Sequence, residues 1–351
     1  MLNKITALCL QDTAVSFYRL VQPLRFLKRE KLVKECRMTP FTGDNQPTKI
    51  AYSKGLKIPV YNDKLLMRIS KDADILWSTV IFDDEQIRRM LDIRKWSGAK
   101  WIVDMDDNMF DVKKDNPGDQ GVKAAMDNIK LCLSLADGLT VSVPYLKEIY
   151  SRFNDNIFIV KNGIDPLEWD FKNSKNKKIT IGWRGAYGHQ QDLNLIGNVL
   201  QKIKEDYDVV IHTFGVKPTG IKVDKHTDWV SLQKYPETLA SLGFDIAIVP
   251  LIDSSYNRCK SNLSYLEYSM LKIPTVVTPT ENQKGCGSLE ARSNYEWYDL
   301  LEKLIKSKKM RETQGKSQYD LVLKDYNVGE FVKPLAKWFE ELPRKNLEMH
   351  I

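Results

Sequence analysis

The sequence predicts an α/β protein made of two doubly wound, Rossmann-like domains that face each other across a cleft. Its 351 residues are too many for one ordinary hydrophobic core. Short apolar runs alternate with amphipathic segments along most of the chain, which is typical of parallel sheets covered by helices on both faces. A charged stretch without periodicity, residues 165–178, interrupts this alternation. We therefore expect an N-terminal domain of residues 1–165 and a C-terminal domain of residues 166–328.

The first domain begins with a strand at 4–10. Helical spacing of Tyr18, Val21, Leu24, Phe26 and Leu27 predicts a helix over 17–30. The later pattern predicts strands at 74–80, 99–107, 137–143 and 156–165, separated by helices at 84–96, 122–136 and 143–153.

The alternation restarts after the linker. The pattern predicts strands at 178–185, 208–215, 244–251 and 274–278, with helices at 190–207, 235–242 and 261–272. The chain ends in segments with helical spacing at 294–307, 310–326 and 329–342.

Composition restricts the class of protein. Charged residues make up 28% and hydrophobic residues 42%, which is typical of a soluble globular chain. No apolar run reaches the length of a membrane helix, and no signal peptide is expected. Five scattered cysteines without a CxxC pair support neither a zinc site nor a disulfide framework. A cytoplasmic protein is the expectation.

The net charge of +7 leaves two interpretations open. A lysine-rich soluble surface explains it, and so does a polyanionic partner such as nucleic acid or an anionic membrane. The stretch 25–37 carries six cations and two acids and is the best local support for such a partner. The same stretch is also compatible with the solvated face of the first helix.

Ligands of doubly wound domains bind where strands end, so the loops after strands are the candidate sites. The loop 184–193 offers Arg184, and its glycines Gly185 and Gly188 allow close approach of the backbone. Asp192 is expected to cap the following helix. This loop is neither a Walker loop nor a GxGxxG fingerprint.

The loop after strand 244–251 leads into a helix that begins near Ser261 and Asn262. The free N–H groups and partial positive charge of a helix start suit a phosphate, and Lys260 adds a full charge. Together with Arg184 these groups would neutralise a diphosphate. Glu267, on the cleft side of the helix, could accept hydrogen bonds from a ribose diol. The alternative is that these are ordinary solvated surface residues.

Acidic residues end the strand at 99–107. Asp104, Asp106 and Asp107 could position an acceptor hydroxyl, make structural hydrogen bonds or bind a divalent cation, and we favour acceptor positioning. Ser16 and Arg19 follow the first strand and should border the cleft, where Arg19 could reach a donor or acceptor phosphate.

Four histidines, His189, His212, His226 and His350, are not spaced as metal ligands. We expect His189 to border the donor and His212 to be a core residue.

Several segments together resemble the retaining nucleotide-sugar glycosyltransferases of the GT-B fold, especially the branch of bacteriophages and surface-polysaccharide clusters. In the C-terminal half they are "GWRGAYGHQQDL", "FDIAIVPLIDSSYNRCKSNLSYLEYSMLKIPTVVTPT" and "NYEWYDLLEKLI". In the N-terminal half they are "SFYRLVQPLRFL", "WIVDMDDNMF", "ADGLTVSVPYLKEI" and "IVKNGIDPLEW". The resemblance covers most of the chain and implies that a final helix, about 329–351, crosses back to the first domain.

The resemblance implies roles for individual residues. Arg184 and Lys260 match the pair that holds the donor diphosphate, Ser261 and Asn262 the helix start beneath it, and Glu267 the ribose ligand. Gly185 matches the small residue beside the phosphates. Cys259 stands where many relatives have a second glutamate, so a sugar-hydroxyl contact passes to Asn257 or Asp253 or is absent.

The implied function is transfer of a sugar from a nucleoside-diphosphate donor, such as a UDP-sugar, with retention of configuration. No tightly bound cofactor and no essential metal are expected. Asp106 and Asp107 join Arg184 and Lys260 as catalytic candidates. Hydroxymethylated pyrimidines of phage DNA are the favoured acceptor; a surface polysaccharide or lipid-linked acceptor is the alternative. A third interpretation is an inactive relative that binds nucleic acid or sugar.

Overall fold

The structure, a computed structural model, describes residues 2–8, 14–38, 48–53, 56–61, 63–112 and 119–347. Cys9 and His350 lie outside these residues. Contacts divide the chain into two units, Met1–Asn162 with Val328–Ile351, and Gly163–Asn327. No helix in the described ranges has the length and hydropathy needed to cross a lipid bilayer.

The strands alternate with helices in both units. The strands are β1 Leu2–Leu8, β2 Val33–Met38, β3 Thr48–Ser53, β4 Leu56–Tyr61, β5 Ile75–Thr79, β6 Lys100–Met105, β7 Gly138–Val141, β8 Ile157–Ile159, β9 Thr180–Gly185, β10 Val210–Gly215, β11 Lys225–Asp228, β12 Ile246–Val249, β13 Thr275–Val277 and β14 Leu289–Glu290.

The helices begin with a short α1, followed by a π-helical turn over Phe17–Val21. They are α1 Ala14–Ser16, α2 Gln22–Arg29, α3 Asp63–Ser70, α4 Asp84–Ser97, α5 Asp119–Ala124, α6 Met126–Leu135, α7 Pro144–Tyr150, α8 Gln190–Asn194, α9 Gly197–Asp206, α10 Tyr235–Ser241, α11 Ser255–Arg258, α12 Leu263–Met270, α13 Asn294–Lys306, α14 Lys308–Asp325 and α15 Val328–Glu341.

The first unit contains a parallel sheet in the order β2-β1-β5-β6-β7-β8 and a separate antiparallel hairpin of β3 and β4. Its buried core includes side chains of α15, whose Phe339 lies edge-on to Trp77 with ring centroids 5.3 Å apart. The segment after α15 is also bound to this unit, because Lys345 donates its backbone N–H to the buried carboxylate of Asp137 at 2.6 Å. The last helix is therefore part of the first unit.

The second unit contains a parallel sheet in the order β11-β10-β9-β12-β13-β14. Apolar residues of β9, β10, β12 and β13 pack against α9 and α13 to form its core. These two sheets with flanking helices confirm the predicted α/β class. The strand order reverses between β9 and β12, which are direct neighbours.

The basic stretch 25–37 is not one helix. α2 ends at Arg29, Lys31 has a positive φ of 58°, and β2 follows at the edge of the sheet. The left-handed backbone at Lys31 breaks the helical path, and β2 then pairs with β1. The charges thus lie on a helix end, a turn and an edge strand, where lysine is a common residue.

Candidate functional site

The candidate site lies at the carboxyl ends of β9 and β12 in the second unit. The sheet reverses its strand order between these two neighbours, and such a switch point is the usual binding crevice of a doubly wound sheet. The loop after β9 begins at Arg184 and Gly185, and the loop after β12 leads to Lys260 and α12. Both predicted phosphate-binding loops therefore begin at the switch point.

Arg184 is bound to Glu267, the acid on the second turn of α12. Its Nη2 lies 2.5 Å from Oε2 of Glu267, and the two side chains are 16% and 2% exposed. Tyr235 donates its hydroxyl to the same oxygen at 2.8 Å. Burial raises the pKa of Tyr235 well above its ordinary value, although Arg184 opposes the shift. The phenol therefore stays protonated and remains a donor to the carboxylate.

Asp192 joins the two loops. This fully buried carboxylate accepts hydrogen bonds from Asn257 Nδ2 at 2.8 Å and from the backbone N–H of Ile252 at 3.1 Å. His189 Nδ1 lies 2.8 Å from its other oxygen. The expectation that Asp192 caps a helix is wrong, because it lies within α8, and the residue at the N-cap position is His189.

Asn257, a predicted donor contact, belongs to the same network. It is fully buried, and its amide group donates to Asp192 and to the carbonyl of Ile252 at 2.9 Å. The structure therefore gives Asn257 the role of fixing the loop after β12. His189 keeps a partly exposed side chain at the edge of the same network.

The helix that was expected to begin at Ser261 and Asn262 does begin there. α12 starts at Leu263, and Asn262 occupies its N-cap position without a capping hydrogen bond from its side chain. The Lys260 ammonium lies 4.5 Å from the ring centroid of Tyr256 in the preceding helix α11. The backbone carbonyl of Lys260 accepts from Asn282 at 3.0 Å, which fixes the chain just before the helix.

Two small residues explain why the backbone packs closely here. A Cβ on Gly185 would lie 2.2 Å from the Trp183 ring, so a larger residue does not fit without rearrangement. Cys259 is fully buried, and its thiol is 3.3 Å from the carbonyl of Ser255. The side chain at position 259 therefore packs inside the loop.

The predicted site residues of the first unit are arranged around a buried salt bridge. Arg19 is 1% exposed and donates to both oxygens of Asp104, at 2.8 and 3.0 Å, and also to Asn162 and the Val160 carbonyl. Thr140 donates to Asp104 at 2.6 Å. Arg19 is thus a structural residue, and the expected phosphate contact is not supported.

The other candidates of this unit differ in exposure. Ser16 is also buried, which argues against a direct donor contact. Asp106 and Asp107, which directly follow β6, are partly exposed. Only these two acids keep the surface access that their predicted catalytic role needs.

The expectation for His212 is confirmed. His212 is buried in β10, and its Nε2 lies 2.9 Å from the Thr227 hydroxyl. Burial lowers its pKa, so the ring is neutral in the core. Within the described ranges, no group of three or more His, Cys, Asp or Glu side chains is placed to hold a metal ion.

Trp229 is a candidate that sequence reasoning missed. It directly follows β11, is 43% exposed and lies beside Phe214 and Tyr235, with ring centroids 5.3 and 6.0 Å away. An aromatic face at the carboxyl edge of the sheet can stack a nucleobase. The only signal in the sequence is a tryptophan in a polar segment, which by itself does not indicate a site.

Neither a protein-family model nor a curated protein matches the sequence. Solved structures do match. An alpha-glucosyltransferase (AGT) in complex with UDP gives a TM-score of 0.65 at 11% identity, with 96% of this chain and 99% of that chain covered. Anabaena HepE in complex with UDP-glucose gives 0.64 at 8% identity, with 97% and 100% covered.

TarM of S. aureus gives a TM-score of 0.57 at 12% identity. The match covers 83% of this chain but 63% of TarM, so the chain spans less than two thirds of that protein. At these identities the similarity concerns the fold alone. It confirms the GT-B class of α/β protein that the resemblance implied.

Proposed function

We propose that this chain is a retaining glycosyltransferase that moves a sugar from a UDP-sugar to an acceptor hydroxyl. The observation that carries the proposal is the meeting of two cationic loops and the start of α12 at the switch point between β9 and β12. The similar folds of an alpha-glucosyltransferase crystallised with UDP and of HepE crystallised with UDP-glucose support it.

The donor diphosphate is bound by Arg184, Lys260 and the first N–H groups of α12. The buried Glu267 orients Arg184 through their salt bridge and accepts hydrogen bonds from the donor ribose. Trp229 stacks the base. Asp192 holds the two loops together, because it follows β9 and accepts a hydrogen bond from the backbone N–H of Ile252 in the loop after β12. Each of these residues lies in the second unit, which is the proposed donor domain.

Catalysis then depends on stabilising the leaving phosphate. Negative charge develops on the diphosphate as the glycosidic bond breaks, and preorganised cations and helix N–H groups stabilise it more in the transition state than in the ground state. The sequence offers no dedicated nucleophile for a double displacement. We therefore assign attack on the same face of the sugar, with the leaving phosphate taking the acceptor proton.

The acceptor we propose is a hydroxymethylated pyrimidine in DNA. The net charge of +7 suits a polyanion, and the exposed Lys28, Lys31 and Lys34 lie on the end of α2, the turn after it and β2. The similar alpha-glucosyltransferase has been crystallised with a 13-mer DNA containing an HMU base. Asp106 and Asp107 would position the acceptor hydroxyl. A similar TarM variant was crystallised with Fondaparinux, alpha-GlcNAc-glycerol and UDP, and this keeps a glycan acceptor as the second candidate.

The test is a transfer assay with radiolabelled UDP-sugars and three acceptors: hydroxymethylated DNA, unmodified DNA and a bacterial polysaccharide. We expect label on the hydroxymethylated DNA alone, with the anomeric configuration retained by NMR. Arg184→Ala and Lys260→Ala should each reduce turnover by about 100-fold, as for loss of one oxyanion-stabilising donor. The exposed Lys31 provides the control, since Lys31→Ala should leave donor hydrolysis unchanged and weaken only DNA binding.

Three results would count against the proposal. Absence of transfer and of donor hydrolysis with every UDP-sugar would support an inactive binding protein. Full turnover in Arg184→Ala and Lys260→Ala would remove the donor-site assignment. Label on the polysaccharide alone would replace the DNA acceptor with the glycan.

A further inference from the structure

The second unit contains a cavity at the other edge of its sheet. The cavity has a volume of about 590 Å³, within the range of small-ligand pockets. Its walls include Asn173, which comes before β9, Asp245, which directly precedes β12, and Pro274, which directly precedes β13. It therefore lies at the amino ends of these strands, whereas the candidate donor site lies at their carboxyl ends.

The lining is rich in positive charge. Five cations and three acids line the cavity: Lys172, Lys175, Lys272, Lys308, Arg311, Asp170, Asp245 and Glu312. Glu312 is paired with Lys308 at 3.7 Å, and Asp245 accepts a backbone hydrogen bond from Thr180. In the described ranges Lys172 and Lys175 form no salt bridge. A concave surface with excess cations favours an anionic ligand.

Two buried polar atoms of the wall have no hydrogen-bond partner. They are Nε1 of Trp169, whose side chain is 2% exposed, and Oδ1 of Asn173. A buried donor or acceptor without a partner costs about 1–3 kcal/mol. A ligand that offers both an acceptor and a donor would satisfy these atoms, which points to a polar molecule larger than a simple ion.

Lys272 is held in an unfavourable backbone conformation at the cavity wall. Its φ is 55°, and a Cβ on Gly315 would lie only 2.1 Å from its carbonyl oxygen, so the α14 backbone packs directly against it. Its ammonium lies 4.6 Å from the ring centroid of Tyr319. This positive φ belongs to the C-cap of α12, because Lys272 N–H bonds to the Ser269 carbonyl and Ile273 N–H to the Tyr268 carbonyl, and it fixes the position of Lys272 at the wall.

An aromatic surface completes the wall. Phe171 is 39% exposed beside Lys172 and can contact a flat ring or the apolar face of a sugar. From the volume, the cations, the two buried polar atoms and this ring, we propose that the cavity binds a small phosphorylated molecule of nucleotide size. The lysines, Lys272 among them, hold its phosphate, and Trp169 and Asn173 hydrogen-bond its polar body.

The test is isothermal titration of the full chain, carrying Arg184→Ala to weaken the proposed donor site, with inorganic pyrophosphate and with UMP; UDP is left out because a nucleotide would enter the cavity as well. We expect at least one of the two probes to bind. Lys272→Gly removes the ammonium and relieves the backbone strain, so it should stay folded and weaken that binding about tenfold, the equivalent of one charge-assisted hydrogen bond. Lys178→Gln is the matched control, because Lys178 lies in the same unit on an exposed pair with Asp208.

Retained binding in Lys178→Gln and its loss in Lys272→Gly support the cavity site. Absence of binding by both probes, or binding that Lys272→Gly leaves unchanged on the Arg184→Ala background, overturns it. The readout does not depend on sugar transfer. If UDP binding to the wild type does not depend on Arg184 while the Lys272-dependent binding persists, the proposed function is wrong and the cavity site stands.

Discussion

Glu267→Ala should destabilise the second unit by about 3 kcal/mol. The change leaves Arg184, which is 16% exposed, without the carboxylate that neutralises it. Removing one partner of a buried ion pair costs about 3–5 kcal/mol, and the residual exposure of Arg184 places this case at the lower end. For a domain of this size, that corresponds to a Tm lower by about 6–12 °C.

The assay is urea unfolding, followed by circular dichroism, of Glu267→Ala, Arg184→Ala and the double variant. The double variant removes both charges, so its loss should be smaller than the sum of the single losses by about 2 kcal/mol. Lys178→Ala, which breaks the exposed pair with Asp208, should cost no more than about 1 kcal/mol. Additive single effects, within about 0.5 kcal/mol, would refute the coupling of Arg184 and Glu267.

Three further predictions address other contacts. Trp229→Ala should weaken UDP binding, measured by calorimetry, about 10- to 100-fold, because stacking a base contributes about 1–3 kcal/mol. Trp229→Phe should bind UDP nearly as well as the wild type. An unchanged Kd for UDP in Trp229→Ala would rule out the stacking role. Asp192→Ala should both lower the Tm and weaken UDP binding, because the loops after β9 and β12 lose their link, and a variant with normal UDP affinity would contradict that role. Burial raises the pKa of the Cys132 thiol from 9.0 to about 12, so iodoacetamide should label this thiol only after unfolding. The unfolded chain ionises at the lower pKa, so the contribution of Cys132 to the free energy of unfolding should fall as the pH rises from about 9 to about 12. Rapid labelling of the native protein would argue against the burial of Cys132.

Much of the fold follows from the sequence because strand and helix periodicities differ. The long amphipathic segments of α4, α13 and α15 and the apolar runs of β5, β6 and β12 were predicted in kind and place. The edge strands were harder to predict from the sequence. β2 was not predicted, and part of it fell in the stretch 25–37 that was compatible with the face of the first helix, because neither hydrophobic spacing nor charge indicates that Lys31 takes a left-handed backbone. β11, with the polar sequence KHTD, carries no strand signal, so Trp229 after it was missed.

The site was predictable in its charges and less so in its contacts. Arg184, Lys260 and the start of α12 could be identified as residues that follow strands. The hydrogen-bond and ion-pair partners around the site could not be identified, because each contact joins side chains that are far apart in sequence. Asp192 and Asn257 are 65 residues apart, and Arg19 and Asp104 are 85 residues apart. A buried carboxylate that joins two loops has the same local sequence as a helix cap.

The most direct test of the account is a crystal structure of the chain with bound UDP. We expect the diphosphate oxygens to lie within hydrogen-bond distance of Arg184, Lys260 and the first N–H groups of α12, with the uracil stacked on Trp229. An empty donor site, with phosphates bound only elsewhere, would contradict the assignment of the donor site and the proposed reaction with it.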